Sequence, residues 1–222
     1  MTDDHYPDTP TTLAKVNSKE YDAILLGENE LGSVHIHGPY GNDKSNIKIA
    51  YLIGMHPYES KSHRALFESI NKLDKNLNYK YYIYNINVIN EDSDDEGRMD
   101  GQLLAKEYVA EHIINGDYDF FVDIHSNKGT RGPGKYEKTN FIFAPSFDSK
   151  SEYYMNDILL TWNQIEYYAP EYRTSPEYIT VPVAKSGIPT IVYETYSYEK
   201  MQKTLEYAEK LIQTVDHIDF IE

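Results

Sequence analysis

Cysteine is absent from all 222 residues. That removes disulfides, thiolate nucleophiles and Cys-ligated metal at once, so a metal site must be built from His, Asp or Glu. Basic residues are scarce: 21 Lys and Arg stand against 36 Asp and Glu, a net charge of −15. This balance disfavours nucleic acid and anionic membrane surfaces as partners, because both call for clustered Lys and Arg. No apolar run is long enough to span a bilayer. The first residues, Met1-Thr2-Asp3-Asp4-His5-Tyr6-Pro7, have no basic segment leading into an apolar one. No signal peptide is therefore expected, and a cytoplasmic protein is. Tryptophan occurs once and phenylalanine 7 times, but tyrosine 22 times. Compositional bias accounts for this; a polar-aromatic cleft is the alternative.

The length suits one domain with a sizeable core. Residues 1–20 are polar, contain Pro7 and Pro10, and read as a loose arm. The remainder, 21–222, has no repeat or low-complexity linker and reads as one catalytic-sized domain. Strands are predicted at Tyr21 to Gly27 and Leu31 to His37, a loop from Gly38 to Asn46, and a buried strand from Ile47. A helix over Pro57 to Leu73 and an alternating strand over Tyr79 to Ile89 follow. Asn90 to Gly97 reads as an acidic loop without the spacing of an EF-hand. A helix carrying Leu103, Leu104, Tyr108, Val109 and Ile113 comes next. Beyond it lie an apolar strand from Tyr118, a short strand at Phe141 to Ala144, a helix over Ser149 to Tyr168 and an extended stretch at Tyr178 to Ala184. A strand from Gly187 to Thr195 and a closing helix complete the chain. Strands alternating with helices from residue 47 onward predict an α/β fold with a largely parallel sheet.

Chemistry concentrates where three of these strands end. The first closes on His56-Pro57-Tyr58-Glu59. Pro57 suits the first position of a helix, and residues three apart share a helix face, so His56 and Glu59 can reach one point. The second closes on Asp123-Ile124-His125-Ser126, with Asp123 on the face of His125, able to orient its imidazole. The third runs from Gly187-Ile188-Pro189 to Glu194. The carboxyl ends of parallel strands are where open α/β sheets place ligands. Imidazole and carboxylate are zinc ligands, and a catalytic zinc takes three from the protein and keeps one position open. His56, Glu59 and His125 form such a set, leaving Glu194 as a base for a metal-activated water. Arg98 and Arg131 are the candidates to hold a substrate carboxylate or an oxyanion. His35 and His37 share a strand face, but nothing nearby completes a metal set, and His112 reads as a helix-end histidine.

These three stretches, in this order, resemble the zinc carboxypeptidase superfamily, and within it most the succinylglutamate desuccinylase/aspartoacylase branch. The resemblance runs over roughly residues 22–215 in element order. It implies a mixed, largely parallel central sheet flanked by helices, with one Zn2+ per chain held by His56, Glu59 and His125. It also implies that Glu194 is the general acid/base and that Arg98 binds substrate. Arg98 falls where the family has an Asn-Arg pair; Gly97 takes the Asn position here. The leading expectation is a zinc-dependent hydrolase of a small N-acyl amino acid or short peptide. A metallocarboxypeptidase acting on longer peptides, a zinc-containing binding module without catalysis, and accidental motifs with no metal are the other readings.

Overall fold

A computed structural model describes residues 23–90, 94–132, 135–146, 148–171 and 175–220, the side chains of 94–96 excepted. The arm expected over residues 1–20 lies outside these. The strands are β1 (Ile24–Asn29), β2 (Gly32–Gly41), β3 (Lys48–Ile53), β4 (Lys80–Val88), β5 (Phe120–Asn127), β6 (Phe141–Phe143), β7 (Glu166–Tyr167) and β8 (Thr190–Tyr196). They form one sheet in the order β1-β2-β4-β3-β5-β8-β6-β7. The four central strands, β4, β3, β5 and β8, are mutually parallel. Antiparallel pairing of β2 on β4 and of β6 on β8 makes the sheet mixed. The expected mixed, largely parallel α/β architecture is thus the observed one.

Central parallel strands are covered on both faces and so are apolar at successive positions. In β3, Ile49, Tyr51 and Ile53 point to one side, into a core with Leu66, Ile70, Leu211 and Ile212. Those residues belong to α1 (Ser60–Leu73) and α7 (Met201–Val215), which pack together on that face beside α4 (Ser149–Thr161). Ala50 and Leu52 point the other way, into a second core with Leu104, Val109, Ile113, Ile179 and Val183. That face is covered by α2 (Asp94–Leu104), α3 (Glu111–Ile114), α5 (Ser175–Tyr178) and α6 (Thr180–Lys185). A π-helical stretch, Ala105–Ala110, joins α2 to α3 without a break.

Several element expectations need correction. Tyr178 to Ala184, read as extended, is helical on either side of a turn at Ile179. Its β-branched run (Ile179, Thr180, Val181, Val183) mimics a strand, but Ile179 and Val183 are fully buried against the sheet at helical spacing. The loop expected from Gly38 is still strand to Gly41, because Tyr40 pairs with Tyr81 after a register shift. The long helix expected to reach Tyr168 stops at Thr161, where Trp162 leaves helical geometry and buries its ring. The expected acidic loop is already helix from Asp94; residues 91–93 lie outside the described chain. Among the described residues no helix is long and apolar enough to cross a membrane.

Candidate metal centre

The carboxyl ends of β3, β5 and β8 lie side by side, and the three predicted stretches meet there. β3 leaves the sheet through Gly54, whose φ of +84° is a left-handed value. A Cβ on Gly54 would lie 2.0 Å from the Ile86 carbonyl oxygen, so only glycine lets the chain turn there. The turn delivers His56, followed by one 3-10 turn, Pro57–Glu59, that runs into α1. Glu59 therefore points back at the strand ends. His125 sits in β5, paired in parallel register with Glu194 of β8, so their side chains leave the sheet on the same side.

His56, Glu59 and His125 are all buried, and each offers a ligand atom within 4.8 Å of the others. His56 Nδ1 lies 2.9 Å from Glu59 Oε1, and His125 Nδ1 lies 2.8 Å from Glu59 Oε2. The Ser126 backbone N–H donates to Oε2 at 3.0 Å, and Arg98 donates to Oε1 at 2.8 Å. On the outer side of His125, Nε2 lies 3.0 Å from Asp123 Oδ2, at ion-pair distance though out of hydrogen-bond alignment. Two imidazoles and one carboxylate converging through single atoms fit a divalent ion, and a carboxylate behind one imidazole is the usual outer partner of a metal-bound histidine.

Charge and burial set the protonation of each member of the cluster. Burial alone would raise the Glu59 carboxyl, but His56 and His125 outweigh it and hold its pKa well below the usual range. Burial works against a charged His125, yet Asp123 and Glu59 prevail and hold its pKa well above the ordinary value. Behind His56 the described residues place the Gln102 amide rather than a carboxylate. Burial lowers its pKa to about 3, with Glu59 opposing and Arg98 assisting. Its ring is neutral over the working range, the form that ligates metal.

Glu194 is buried beside this cluster and accepts a hydrogen bond from Asn127 Nδ2 at 3.1 Å. Burial, seconded by Glu59 and opposed by His125, Asn127 and Arg98, pushes its carboxyl up to about 8. A carboxyl that gains and loses a proton near neutrality suits general acid/base work.

The structure separates the two arginine candidates. Arg98 reaches the cluster and keeps 38% of its side chain exposed. Arg131 is exposed and lies over the Tyr198 ring, 4.3 Å from its centre, in the loop after β8. That loop is fastened by Lys61 of α1, whose ammonium donates to the carbonyls of Ser197 and Glu199.

Three further residues belong to the site. Gln102, buried, places its amide nitrogen 3.2 Å from His56 Nε2. It lies one helical turn beyond Arg98, so the two share a face of α2. Asn127 continues the alternation Asp123, His125, Asn127 on β5, a signal the sequence did carry. Tyr136 comes from the loop before β6, where no periodicity points to it. Burial, with Glu194 and Glu59, keeps its hydroxyl protonated and a donor. Elsewhere, His37 packs edge-on against Phe67 and His112 meets the Tyr84 hydroxyl at 2.6 Å. Among the described residues neither joins a metal set.

The departure at Gly97 has a steric reason. Cβ atoms on Gly97 and Gly101 would lie 2.7 Å from the Asn90 carbonyl oxygen and 1.8 Å from that of Met55. The two glycines, four apart on one face of α2, let the helix press onto the chain around His56. That approach brings Arg98 and Gln102 within reach of Glu59 and His56.

No family model and no curated protein matches the chain. Solved structures do. A metallo-carboxypeptidase from Burkholderia cenocepacia is 12% identical with a TM-score of 0.57, covering 91% of this chain and 65% of its own. A metallo-carboxypeptidase from Pseudomonas aeruginosa, in complex with (2-guanidinoethylmercapto)succinic acid, is 13% identical with a TM-score of 0.55, covering 83% and 60%. The tripeptide-bound cell shape determinant Csd4 from Helicobacter pylori is 12% identical with a TM-score of 0.56, covering 82% and 54%. The chain thus spans between about half and two thirds of the length of these proteins. Its fold is that of the metallo-carboxypeptidases.

Proposed function

We propose that this protein is a zinc-dependent hydrolase that cleaves an amide bond next to a free carboxylate, in a small N-acyl amino acid or a short peptide. One observation carries the reading: two imidazoles and a carboxylate converge at the carboxyl edge of the sheet, with a separate buried carboxyl, Glu194, in strand register with His125. His56, Glu59 and His125 would hold one Zn2+ and leave a position open for substrate. When bound, zinc supplies Lewis acidity and lowers the pKa of a water. Glu194 takes a proton from the attacking water and returns it to the leaving nitrogen. Asn127 holds that carboxylate by its amide. Arg98, partly exposed beside the cluster, offers a guanidinium to the substrate carboxylate or to the developing oxyanion. Tyr136 adds a neutral donor.

A second reading, a metallocarboxypeptidase acting on longer peptides, draws support from the fold likeness and from Tyr136, whose hydroxyl feels Glu194 and Glu59. A binding module without catalysis has no use for a buried titratable carboxyl at Glu194.

Elemental mass spectrometry of the wild type and His125→Ala, followed by assays on N-acyl amino acids and peptides, tests the proposal. The expected result is about one zinc per wild-type chain, lost in the variant. Zinc-loaded Glu194→Gln should keep the metal and lose turnover. A wild type that takes up no zinc, or a Glu194→Gln protein with full activity, would overturn it. The substrate panel divides deacylase from peptidase.

A further inference from the structure

The proton on a histidine ring is placed by whatever faces its two nitrogens. At His56 one face is a carboxylate and the other a glutamine. Nδ1 donates to Glu59 Oε1 at 2.9 Å, and the Gln102 amide nitrogen donates to Nε2 at 3.2 Å. This is the tautomer with its proton on Nδ1, the atom that faces the cluster. A metal ion needs the lone pair of that same atom. Once Nδ1 is a ligand, a neutral ring carries its proton on Nε2, where the Gln102 NH2 would meet it donor against donor. Turning the amide over puts Oε1 where Nε2 stood, with almost no change of shape.

We propose that Gln102 is a positioning residue for His56 that reverses its amide on metal uptake. The nitrogen faces the ring while Nδ1 is protonated, and the oxygen faces it when Nδ1 is a ligand. The inference rests on the metal site of the proposed function. The choice of residue fits the task. An amide carries a donor and an acceptor on one planar group and serves both states; a carboxylate serves only the loaded state, and a thioether serves neither. His125 differs, since its outer nitrogen lies 3.0 Å from a carboxylate oxygen of Asp123, a group with no donor to turn towards the ring. One ligand is preset and the other is switched. Gln102 is held to this duty by its buried place beside Gly101, where α2 touches the Met55 carbonyl.

The test compares wild type, Gln102→Met and Gln102→Glu by zinc competition with a chromogenic chelator and by nitrogen-15 NMR of the His56 ring. Gln102→Met, close in volume and apolar, should weaken zinc binding by about 10–100-fold. Gln102→Glu, which keeps an acceptor, should restore affinity to within a few-fold of wild type. Loaded wild type should carry its His56 proton on Nε2 with slowed solvent exchange, and Gln102→Met should lose that protection. If wild type binds zinc and Gln102→Met binds it equally well, or Gln102→Glu is as weak as Gln102→Met, the inference falls and the proposed function stands. A wild type that binds no zinc removes both.

Discussion

Gly101→Ala tests how the two helix-borne polar groups reach the cluster. The added methyl would lie 1.8 Å from the Met55 carbonyl oxygen, whose strand-end segment carries His56. Ordinary contact begins at 3.4 Å, so α2 or the Met55 segment must withdraw by about 1.6 Å. The Gln102–His56 contact of 3.2 Å and the Arg98–Glu59 contact of 2.8 Å leave no slack for such a shift. Both pass out of hydrogen-bond range. The steric cost alone is about 1–3 kcal/mol of stability. Loss of the outer partner of His56 weakens zinc by about 10–100-fold. Misplacement of Arg98 by more than about 1 Å costs about a further hundredfold in turnover. The assays are chemical denaturation of metal-free protein, chelator competition for zinc, and kcat/KM on the best substrate. Met99→Ala is the control, because Met99 is 43% exposed on the same helix. A Gly101→Ala protein with wild-type stability and zinc affinity would show that close approach of α2 does not set the site.

Other outcomes follow from the same geometry. Glu194→Gln should lower kcat by about 10²–10⁴-fold with zinc content unchanged, measured by steady-state kinetics beside elemental analysis. Chelation should lower the melting temperature, and restored zinc at about 100 times its dissociation constant should return about 2.7 kcal/mol. His63 is buried with its pKa lowered to about 4, by burial first, against 6.5 for a free imidazole. Between those values the unfolded chain binds a proton that the folded chain refuses, so stability falls as pH drops from 6.5 towards 4 and is unaffected above that window. The loss from this one group amounts to about 3 kcal/mol at its limit, and His63→Asn should flatten part of the acid limb in urea melts. Lys61→Met should cost about 1.5–3 kcal/mol, because it removes a charged donor from the Ser197 and Glu199 carbonyls.

Much of this site was legible because buried parallel strands advertise themselves. β3, β5 and β8 each hold a short apolar run, residues 49–53, 120–122 and 191–193, and polar residues follow at the carboxyl ends. His56, His125 and Glu194 stood out as candidates that way, and Glu59 by its helical spacing from His56. Gln102 did not, since a glutamine in the middle of a helix has no signature until the partner of its amide is known. Tyr136 sits in a loop whose path depends on tertiary packing. Arg98 and Arg131 look alike as sequence, and only the approach of α2 separates them. The misread helix at Thr180–Lys185 shows the same limit: β-branched residues favour a strand locally, and burial of Ile179 and Val183 against the sheet overrides them.

The in-register pairing of His125 with Glu194 has an evolutionary consequence. Backbone hydrogen bonds between β5 and β8 fix the spacing of these two groups, and of the chain between them β6 backs Glu194 from the other side, with Phe141 opposite it. Insertions, deletions or grafted loops in the connections on either side of β6 can therefore remodel the mouth of the site while the distance between His125 and Glu194 stays the same. Diversification of this scaffold should appear as change of substrate long before it appears as loss of chemistry.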